Sequence, residues 1–317
     1  MRVRLLPAAA DRHDGVSRYA RELAAELGRV AGVEVVSGPD YDVLHLVAAH
    51  RYDAEWRRAK ELGRRLVVTV HDLIPEHFGL KGPQYAGVAE RREVLSAADA
   101  IIAVSQWTKD DIVATYGISA DRIRVIHNGV SVGSATHEAH GTRHEAHGTL
   151  LWIGRRAGYK NFFWFVRAVA PLLWRRNLCV ICTGGQGFGH KERLLMTLLG
   201  VRRRFSVVDA DEARLAALYR HAVCLVMPSR AEGFGLPVVE AMAQGCPVVL
   251  PRAHVFPEVA GDAALFYREG SGREMRRLVE QCLSGDGRAE IVRRGKERAT
   301  AFSWTNCAAA VAAVYRR

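Results

Sequence analysis

The chain has 317 residues, of which 49% are hydrophobic and 25% charged, an ordinary globular composition that excludes disordered and collagen-like proteins. No uncharged apolar stretch reaches the ~18 residues that a membrane span needs, because Arg167 interrupts the longest apolar region. The net charge is +11, and the excess lies in residues 133–317, which hold 27 Lys and Arg against 16 Asp and Glu. This basic half indicates either a site for an anionic ligand (phosphate, nucleic acid or lipid) or a basic surface that faces water.

Strand-like and helix-like patterns alternate along residues 1–132. Short apolar runs predict strands at 3–6, 33–36, 43–47, 66–70, 100–104 and 123–126. Apolar spacings of three and four after Gly15 predict an amphipathic helix, and residues 53–65 predict a basic helix that could touch anionic lipid or face water. Strands that are apolar on both faces and alternate with helices predict a parallel sheet covered on both sides.

Residues 133–149 interrupt this rhythm with a polar segment that contains HEAHGT twice, at 137–142 and 144–149. Its histidines and glutamates could bind zinc, but we favour a flexible linker. Beyond it, strands are predicted at 150–153, 179–183, 205–208, 225–227 and 247–250, with helices at 161–174, 237–244 and 305–315. The predicted fold class is therefore α/β, with two Rossmann-like domains (1–132 and 150–300) flanking a cleft, and a final helix within 301–317.

The six cysteines all lie in the second half, mostly among apolar neighbours. In a chain of this length they predict reduced core thiols and a reducing cytoplasm, not a disulfide framework. Cys179 and Cys182 form a C-x-x-C, but an offset of three within a strand places them on opposite faces. Core packing is therefore favoured over a redox or metal site.

Residues 229–240, SRAEGFGLPVVE, contain the densest signal for a binding site. A strand ends, a glycine-bearing loop follows, and a helix begins near Pro237, a favourable first-turn residue. The N–H groups and positive dipole of such a helix start suit a phosphate. Glu232 and Glu240 suit the hydroxyl groups of a sugar and a ribose; the alternative is a helix-dipole partner and a surface residue.

A second candidate site follows the strand at 150–153, where Gly154 precedes Arg155 and Lys160. These cations could neutralise a diphosphate, although cations are also common on surfaces. Asp209 and Asp211 are similar to a metal-binding D-x-D, but Asp211 precedes a helical pattern and is better explained as a helix cap.

The run SRAEGFGLPVVEAMAQGCPVV at 229–249, with its E-x7-E spacing, resembles retaining GT-B glycosyltransferases of the large family that includes bacterial lipopolysaccharide, capsule and mannosyl transferases. The segments VTVHDLIPEHF, IIAVSQWTKDDI, VIHNGV, IGRRAGYKN and PEVAGDAALFY are similar to that family's motifs and stand in its order. The resemblance covers most of the chain. The chain departs from the family in its short length, its doubled HEAHGT and its N-terminal loop at 11–17, which has one glycine, Gly15.

The resemblance implies a role for each matching residue. Glu232 would contact the donor sugar, His71 would face the reacting carbon, and the catalytic cations Arg155 and Lys160 would stabilise the leaving diphosphate. For His71 the alternative is a strand-end histidine bonded to a loop carbonyl. The implied donor-binding residues are Gly15, Ser17, Asn128, Thr183, Gly184, Val208, Phe234, Gly235, Leu236 and Glu240.

The implied enzyme is a retaining glycosyltransferase that moves a hexosyl group from a nucleotide-diphosphate sugar, GDP-mannose or a UDP-hexose, to a surface glycan or lipid-linked sugar. Residues 1–132 would bind the acceptor and residues 150–300 the donor, and the helix in 301–317 would cross back to the N-terminal domain. No metal or cofactor is expected, because fixed cations and a helix start offset the charge on the leaving diphosphate. The expected location is cytoplasmic, with contact to the inner face of the bacterial membrane and no nucleic-acid partner.

Two other functions compete with this one. A nucleotide-sugar epimerase or hydrolase on the same fold predicts turnover of the donor when no acceptor is present. A nucleic-acid-binding protein predicts tight, salt-sensitive binding through the basic second half.

Overall fold

The structure is a computed structural model that describes residues 1–6, 15–48, 55–80, 87–131, 148–156, 158–283 and 285–316. The chain divides into two compact units. Unit 1 consists of residues 1–129, 232–234 and 302–317, and unit 2 consists of residues 130–231 and 235–301. Residues 132–147, which hold the HEAHGT repeat except for Gly148 and Thr149, and the loop at 11–14 lie outside the described residues.

Among the described residues, unit 1 contains six parallel strands: β1 (Arg2–Leu6), β2 (Glu34–Val35), β3 (Val43–Leu46), β4 (Arg65–Val70), β5 (Ala100–Ala103) and β6 (Ile123–Val125). Their order across the sheet is β2-β1-β3-β4-β5-β6. Strands β3, β4 and β5 are buried along almost their whole length. Their mostly apolar sequences reflect a sheet that is covered on both faces.

The first helices of unit 1 are α1 (Gly15–Leu27), α2 (Glu55–Glu61), α3 (Ile74–Phe78), α4 (Val88–Ala97) and α5 (Gln106–Tyr116). Helix α1 buries Tyr19, Leu23 and Leu27 on the stripe that the sequence predicted. The basic helix predicted at 53–65 ends earlier, at Glu61, because Gly63 turns the chain at a positive φ of 66° before β4 begins.

In the part of the chain that the structure describes, unit 2 also contains six parallel strands: β7 (Gly148–Ile153), β8 (Leu178–Thr183), β9 (Phe205–Val207), β10 (Cys224–Val226), β11 (Val248–Pro251) and β12 (Leu265–Tyr267). Their order is β12-β11-β10-β7-β8-β9, so the chain changes direction across the sheet between β7 and β10. In open parallel sheets, ligands bind beside such a change of direction, at the carboxyl ends of the strands.

The helices of unit 2 are α6 (Phe162–Arg175), α7 (His190–Leu198), α8 (Glu212–His221), α9 (Leu236–Ala243), α10 (Phe256–Ala260), α11 (Gly272–Gln281) and α12 (Gly285–Ala299). The core is aromatic where α6 meets the sheet, with the rings of Trp152 and Phe162 4.9 Å apart. Cys179 and Cys182 are buried in β8, which confirms the core-packing interpretation of the C-x-x-C. Burial raises the pKa of the Cys182 thiol far above its usual value, so this sulfur is unsuited to redox chemistry.

The last helix, α13 (Trp304–Tyr315), packs in unit 1 against α1 and the sheet. The start of α13 lies so close to Gly129 that a Cβ on this glycine would stand 2.3 Å from the backbone nitrogen of Trp304. At the other end of α13, Tyr315 Oη lies 2.6 Å from Nδ1 of the fully buried His45. Within the described ranges, every helix is too short or too polar to cross a membrane.

Candidate functional site

The carboxyl edge of the unit 1 sheet carries two of the predicted site residues, His71 and Asn128. Strands β3, β4, β5 and β6 are neighbours, and they are followed in turn by Val47, His71, Ser105 and Asn128. Because parallel strands end at the same edge, these four residues line one side of the unit.

His71 follows β4 directly and is half-buried. Its Nε2 lies 2.8 Å from the Val47 carbonyl oxygen, and because a carbonyl only accepts, Nε2 carries the proton and donates. The ring of Tyr19 meets the imidazole edge-on at 4.8 Å between centroids. The alternative expectation for His71, a bond to a loop carbonyl, therefore describes one of its contacts, and its role toward a reacting carbon stays a prediction.

The segment Glu232–Phe234 packs in unit 1, although the sequence analysis grouped it with residues 150–300. Gly233 is the reason, because a Cβ at this position would lie 1.5 Å from the His71 carbonyl oxygen. The Gly233 carbonyl accepts a hydrogen bond from Ser105 Oγ at 2.6 Å and another from Thr108 Oγ1 at 3.2 Å. Backbone packing without a side chain thus brings Glu232 to the strand end that carries His71.

Phe234 anchors the other end of this segment. Its ring is buried and contacts the rings of His127 and Phe302, at 5.8 and 5.5 Å between centroids. An aromatic anchor and a glycine contact together define the conformation of Glu232–Phe234, because both ends of the segment are held.

A buried ionic cluster supports the turn after β4. Arg91 is 1% exposed; its Nη1 donates to the Asp72 carbonyl at 3.0 Å and lies 2.9 Å from Glu76 Oε1. Burial raises the pKa of the Asp72 carboxyl; the Ile74 N–H and Arg91 partly oppose this, and Glu232 adds to it. Glu232 therefore lies within electrostatic reach of a second carboxyl group, that of the half-buried Asp72.

Asn128 and the start of α1 supply the remaining predicted residues of unit 1. Asn128 is 3% exposed, and among the described residues its Oδ1 has no hydrogen-bond partner. A buried amide oxygen without a donor is costly, so a ligand that donates to it would gain binding energy. Gly15 is the exposed first residue of α1 and Ser17 is buried in its first turn.

In unit 2, the loops after β7, β8 and β10 meet where the strand order changes direction. The Gly154 N–H donates to the Thr183 carbonyl at 2.9 Å, and a Cβ on Gly184 would lie 3.1 Å from the Gly154 backbone. The Arg230 N–H donates to the Tyr159 carbonyl at 2.8 Å. Gly154 (106°) and Gly184 (81°) both adopt a positive φ that favours glycine; Gly184 is exposed and Gly154 is half-buried.

The cations of this loop have different environments. Arg155 is exposed, and the Lys160 side chain lies over Gly154, with its Nζ 3.6 Å from where a Cβ would stand. Arg156 is instead held by Glu192 at 2.9 Å and by the Gln186 carbonyl, over the ring of Phe188. Arg156 is therefore already held by neighbouring groups, and the role of Arg155 and Lys160 toward a diphosphate stays a prediction.

Helix α9 begins at Leu236, directly after the positive-φ residue Gly235 (85°). Pro237 has no N–H, and the Val238 N–H donates to the Gly235 carbonyl at 2.8 Å. Leu236 is thus the first-turn residue whose N–H has no acceptor within the helix. One turn further, Glu240 is 8% exposed and accepts from Tyr219 Oη at 2.9 Å, so the alternative that it is a surface residue is wrong.

Thr183 and Val208, two of the predicted donor-binding residues, are buried at the ends of β8 and β9.

The cap interpretation of Asp211 is confirmed, because its Oδ1 accepts from the Arg214 N–H at 2.8 Å at the start of α8. Among the described residues, no three His, Cys, Asp or Glu side chains cluster as a metal site would require.

Comparisons with known proteins identify the family. Residues 147–285 match the family described as glycosyl transferases group 1, and residues 37–133 match glycosyltransferase family 4. The O-antigen chain mannosyltransferase B of Escherichia coli is 30% identical over 260 residues, which cover 77% of this chain and 68% of that protein.

The chain belongs to the group 1 glycosyltransferases. The D-inositol 3-phosphate glycosyltransferase 1 of Catenulispora acidiphila is also similar, at 28% identity over 99% of this glycosyltransferase and 80% of the relative. The glycosyltransferase family expected from the run at 229–249 is therefore confirmed, and the retaining mechanism stays a prediction.

Solved structures confirm the GT-B fold of this glycosyltransferase. Sucrose-phosphate synthase from Thermosynechococcus elongatus superimposes with a TM-score of 0.79 at 18% identity, covering 100% of this chain and 98% of the other. The Anabaena protein HepE, in complex with UDP and glucose, gives the same TM-score at 17% identity, covering 99% of both chains.

Several contacts that hold the candidate site together were not predicted from the sequence. Ser105 and Thr108 bind Gly233, Arg91 supports the turn after His71, and Tyr219 binds Glu240. The S-x-x-T pattern at 105–108 was an available signal, since it is typical of a helix cap. Arg91 offered none, because it stands in a charged helix segment that resembles a solvent-exposed face.

Proposed function

We propose that this glycosyltransferase moves a hexosyl group from a nucleotide-diphosphate sugar, with retention of the anomeric configuration and without a metal ion. The observation that supports this most directly is the packing of Glu232–Phe234 on the backbone of His71. It joins the first acid of the E-x7-E run to a strand-end histidine in one compact unit.

The donor's diphosphate is assigned to the loops of unit 2. As the sugar–phosphate bond breaks, negative charge grows on the departing diphosphate. Arg155 and Lys160 would offset that charge, and the phosphates would approach the backbone at Gly154 and Gly184, where no side chain stands in the way. The N–H of Leu236, at the start of α9, would donate to the same group.

The two acids would act on hydroxyl groups of the donor. Glu232 would accept from the sugar, and Glu240 from the ribose, with Tyr219 orienting the Glu240 carboxylate. A residue bonded in this way loses less freedom when the ligand arrives, which favours binding.

Retention follows from attack on the face that the leaving group vacates. The acceptor hydroxyl forms the new bond to the anomeric carbon while the bond from that carbon to the diphosphate oxygen breaks. The hydroxyl proton passes to the departing diphosphate oxygen, so the atoms and charges balance without a carboxylate pair of the glycosidase type. His71 would face the reacting carbon.

We propose GDP-mannose as the first donor candidate, because relatives at 30% and 28% identity are named O-antigen chain mannosyltransferases. A UDP-hexose is the second candidate, since the HepE structure holds UDP and glucose. The acceptor would be a growing surface glycan or a lipid-linked sugar at the inner face of the membrane. The inositol phosphate named for other relatives is the alternative acceptor class.

A thermal-unfolding screen tests the donor assignment. The full chain is heated with UDP, GDP, ADP and CDP in turn, each with and without EDTA. A ligand that binds only the folded state raises the free energy of unfolding, by about 2.7 kcal/mol when its concentration is a hundred times Kd. The higher free energy of unfolding appears as a higher Tm. We expect GDP to raise Tm most and EDTA to leave the shift unchanged. If none of the four nucleotides changes Tm, the proposal fails.

The Glu232→Gln variant tests the assigned reaction centre. We expect transfer to fall to background while nucleotide affinity, measured by calorimetry, stays within a few-fold of wild type. Glu297→Gln is the matched control, because this acid lies in an exposed helix pair and contributes little. Donor turnover in the absence of acceptor would instead indicate a hydrolase or epimerase, and nucleic-acid binding unchanged by Glu232→Gln would indicate the nucleic-acid function.

A further inference from the structure

The surface at the amino ends of β8 and β9 carries exposed apolar side chains. Trp174 is 57% exposed at the end of α6, and on α7 and just after it Leu194, Leu198 and Leu199 are 53%, 75% and 36% exposed. These account for four of the nine large apolar side chains that are exposed among the described residues. A cluster of this kind on one face marks an interaction site more often than scattered single residues do.

Contacts join the two parts of this surface into one patch. A Cβ on Gly200, the positive-φ residue (71°) after α7, would lie 3.7 Å from Trp174 Cζ2. The Arg204 guanidinium covers the Trp174 ring at 4.4 Å and donates to Asn177 and to the Leu178 carbonyl. We call this surface the amino-edge patch: Trp174, Arg175, Arg176, Leu194, Leu198, Leu199 and Arg202–Arg204.

The amino-edge patch is strongly basic. Residues 174–204 contain seven Lys or Arg and one acid, Glu192, which is paired with Arg156. Arg175 and Arg176 remain 59% and 51% exposed although both contact Glu280, at 2.7 and 2.8 Å. Part of the +11 net charge is therefore concentrated around exposed tryptophan and leucine side chains.

The basic helix α2, which the sequence also suggested for lipid contact, has a different environment. Arg57 donates to both carboxylate oxygens of Glu93, at 2.6 and 2.7 Å, and Lys60 lies 2.9 Å from Asp99. Two of its three cations are thus paired with acids, which weakens the attraction to a negatively charged surface.

We propose that the amino-edge patch binds the surface of an anionic phospholipid bilayer. Tryptophan and leucine side chains can enter the interfacial region of the bilayer while arginines contact lipid phosphates, the pairing that interfacial membrane segments use. Exposed leucines argue for lipid over nucleic acid, which offers stacking surfaces and phosphates but little aliphatic contact. The patch lies at the opposite edge of the unit 2 sheet from the predicted donor loops, so lipid binding leaves those loops accessible.

Vesicle co-sedimentation of the full chain tests this proposal. The assay contains no donor or acceptor, so its result does not depend on the transfer reaction. The probes are vesicles of phosphatidylcholine alone and of equal parts phosphatidylcholine and phosphatidylglycerol, in low and high salt. We expect binding to the mixed vesicles that high salt weakens. Leu198→Glu should lower the partition coefficient by about tenfold or more.

Leu62→Glu is the matched control, because Leu62 is 56% exposed at the end of α2 and the change in charge is the same. It should bind vesicles within about twofold of wild type after correction for the added charge near the membrane. Nucleotide affinity should be unchanged in both variants, which also shows that both are folded.

Four results would overturn the proposal. The first is wild-type protein that stays in the supernatant with both vesicle types, and the second is equal binding by the two variants. The third is a dimer, seen by light scattering without lipid, that Leu198→Glu dissociates, because the patch would then be a contact between copies of the chain. Loss of duplex DNA binding in Leu198→Glu, with vesicle binding retained, would assign the patch to nucleic acid.

Discussion

Replacing Gly233 by alanine should damage the proposed reaction centre of this glycosyltransferase more than any other change of one methyl group. The added Cβ would lie 1.5 Å from the His71 carbonyl oxygen, whereas real Cβ contacts essentially never fall below 3.0 Å. The segment must therefore retreat by about 1.5 Å or more, because the oxygen belongs to the backbone and not to a flexible side chain.

That displacement breaks the two bonds that hold the Gly233 carbonyl, from Ser105 at 2.6 Å and Thr108 at 3.2 Å. At about 1 kcal/mol each, their loss lowers the free energy of unfolding by roughly 2 kcal/mol, or some 4–8 °C in Tm. Glu232 moves with its neighbour, and a misplacement of about 1 Å at a reacting centre costs on the order of a hundredfold in rate.

The assay compares kcat/KM for transfer, nucleotide Kd and Tm between wild type and Gly233→Ala. We expect kcat/KM to fall by about a hundredfold or more and nucleotide Kd to change little, since Arg155, Lys160 and Glu240 lie in unit 2. Gly38→Ala is the control, because a Cβ there meets no atom within 4 Å. Wild-type activity and Tm in Gly233→Ala would refute both the packing and the role assigned to Glu232.

Three further predictions concern binding and stability. Lys160→Ala should weaken nucleoside diphosphate binding about tenfold in calorimetry, and equal affinity would remove Lys160 from the site. Arg91→Met should lower the free energy of unfolding in urea by about 3–5 kcal/mol, because it leaves Glu76 buried without a cation; Arg92→Met, on the exposed face, should not. Burial lowers the pKa of His45 to about 3, so unfolding takes up a proton and stability falls, by up to about 1.4 kcal/mol per pH unit, as the pH drops from 6.5 toward 3. His45→Gln should reduce that slope by up to one proton, and an unchanged slope would contradict the burial.

Much of the fold follows from local patterns in the sequence. Strands such as β4 and β8 were predictable within a residue or two, because a buried parallel strand is an unbroken apolar run whatever lies beside it. The start of α9 was predictable from Gly235 and Pro237, whose backbone preferences act within the loop itself. The end of α2 was not, because several helix-forming residues outweighed Gly63 in the pattern.

In the candidate site too, some residues could be named from local patterns in the sequence and others could not. Motif residues such as Glu232, Lys160 and His71 could be named from the sequence, because strand ends and helix starts mark where ligands bind in α/β sheets. Their roles toward a donor stay predictions. The residues that hold them in place could not be named, since Ser105 and Gly233 are 128 positions apart and only a folded unit joins them.

The sequence by itself determined the α/β architecture, the family and the positions of the loops that carry chemistry, because periodicity and turn residues act over short stretches of chain. Tertiary structure decided which compact unit receives Glu232–Phe234, which of two adjacent arginines is held by Glu192, and that Glu240 is bound by Tyr219. These outcomes depend on how closely two backbones approach and on which buried polar groups find partners. Both are set when distant segments pack, and no local pattern records them.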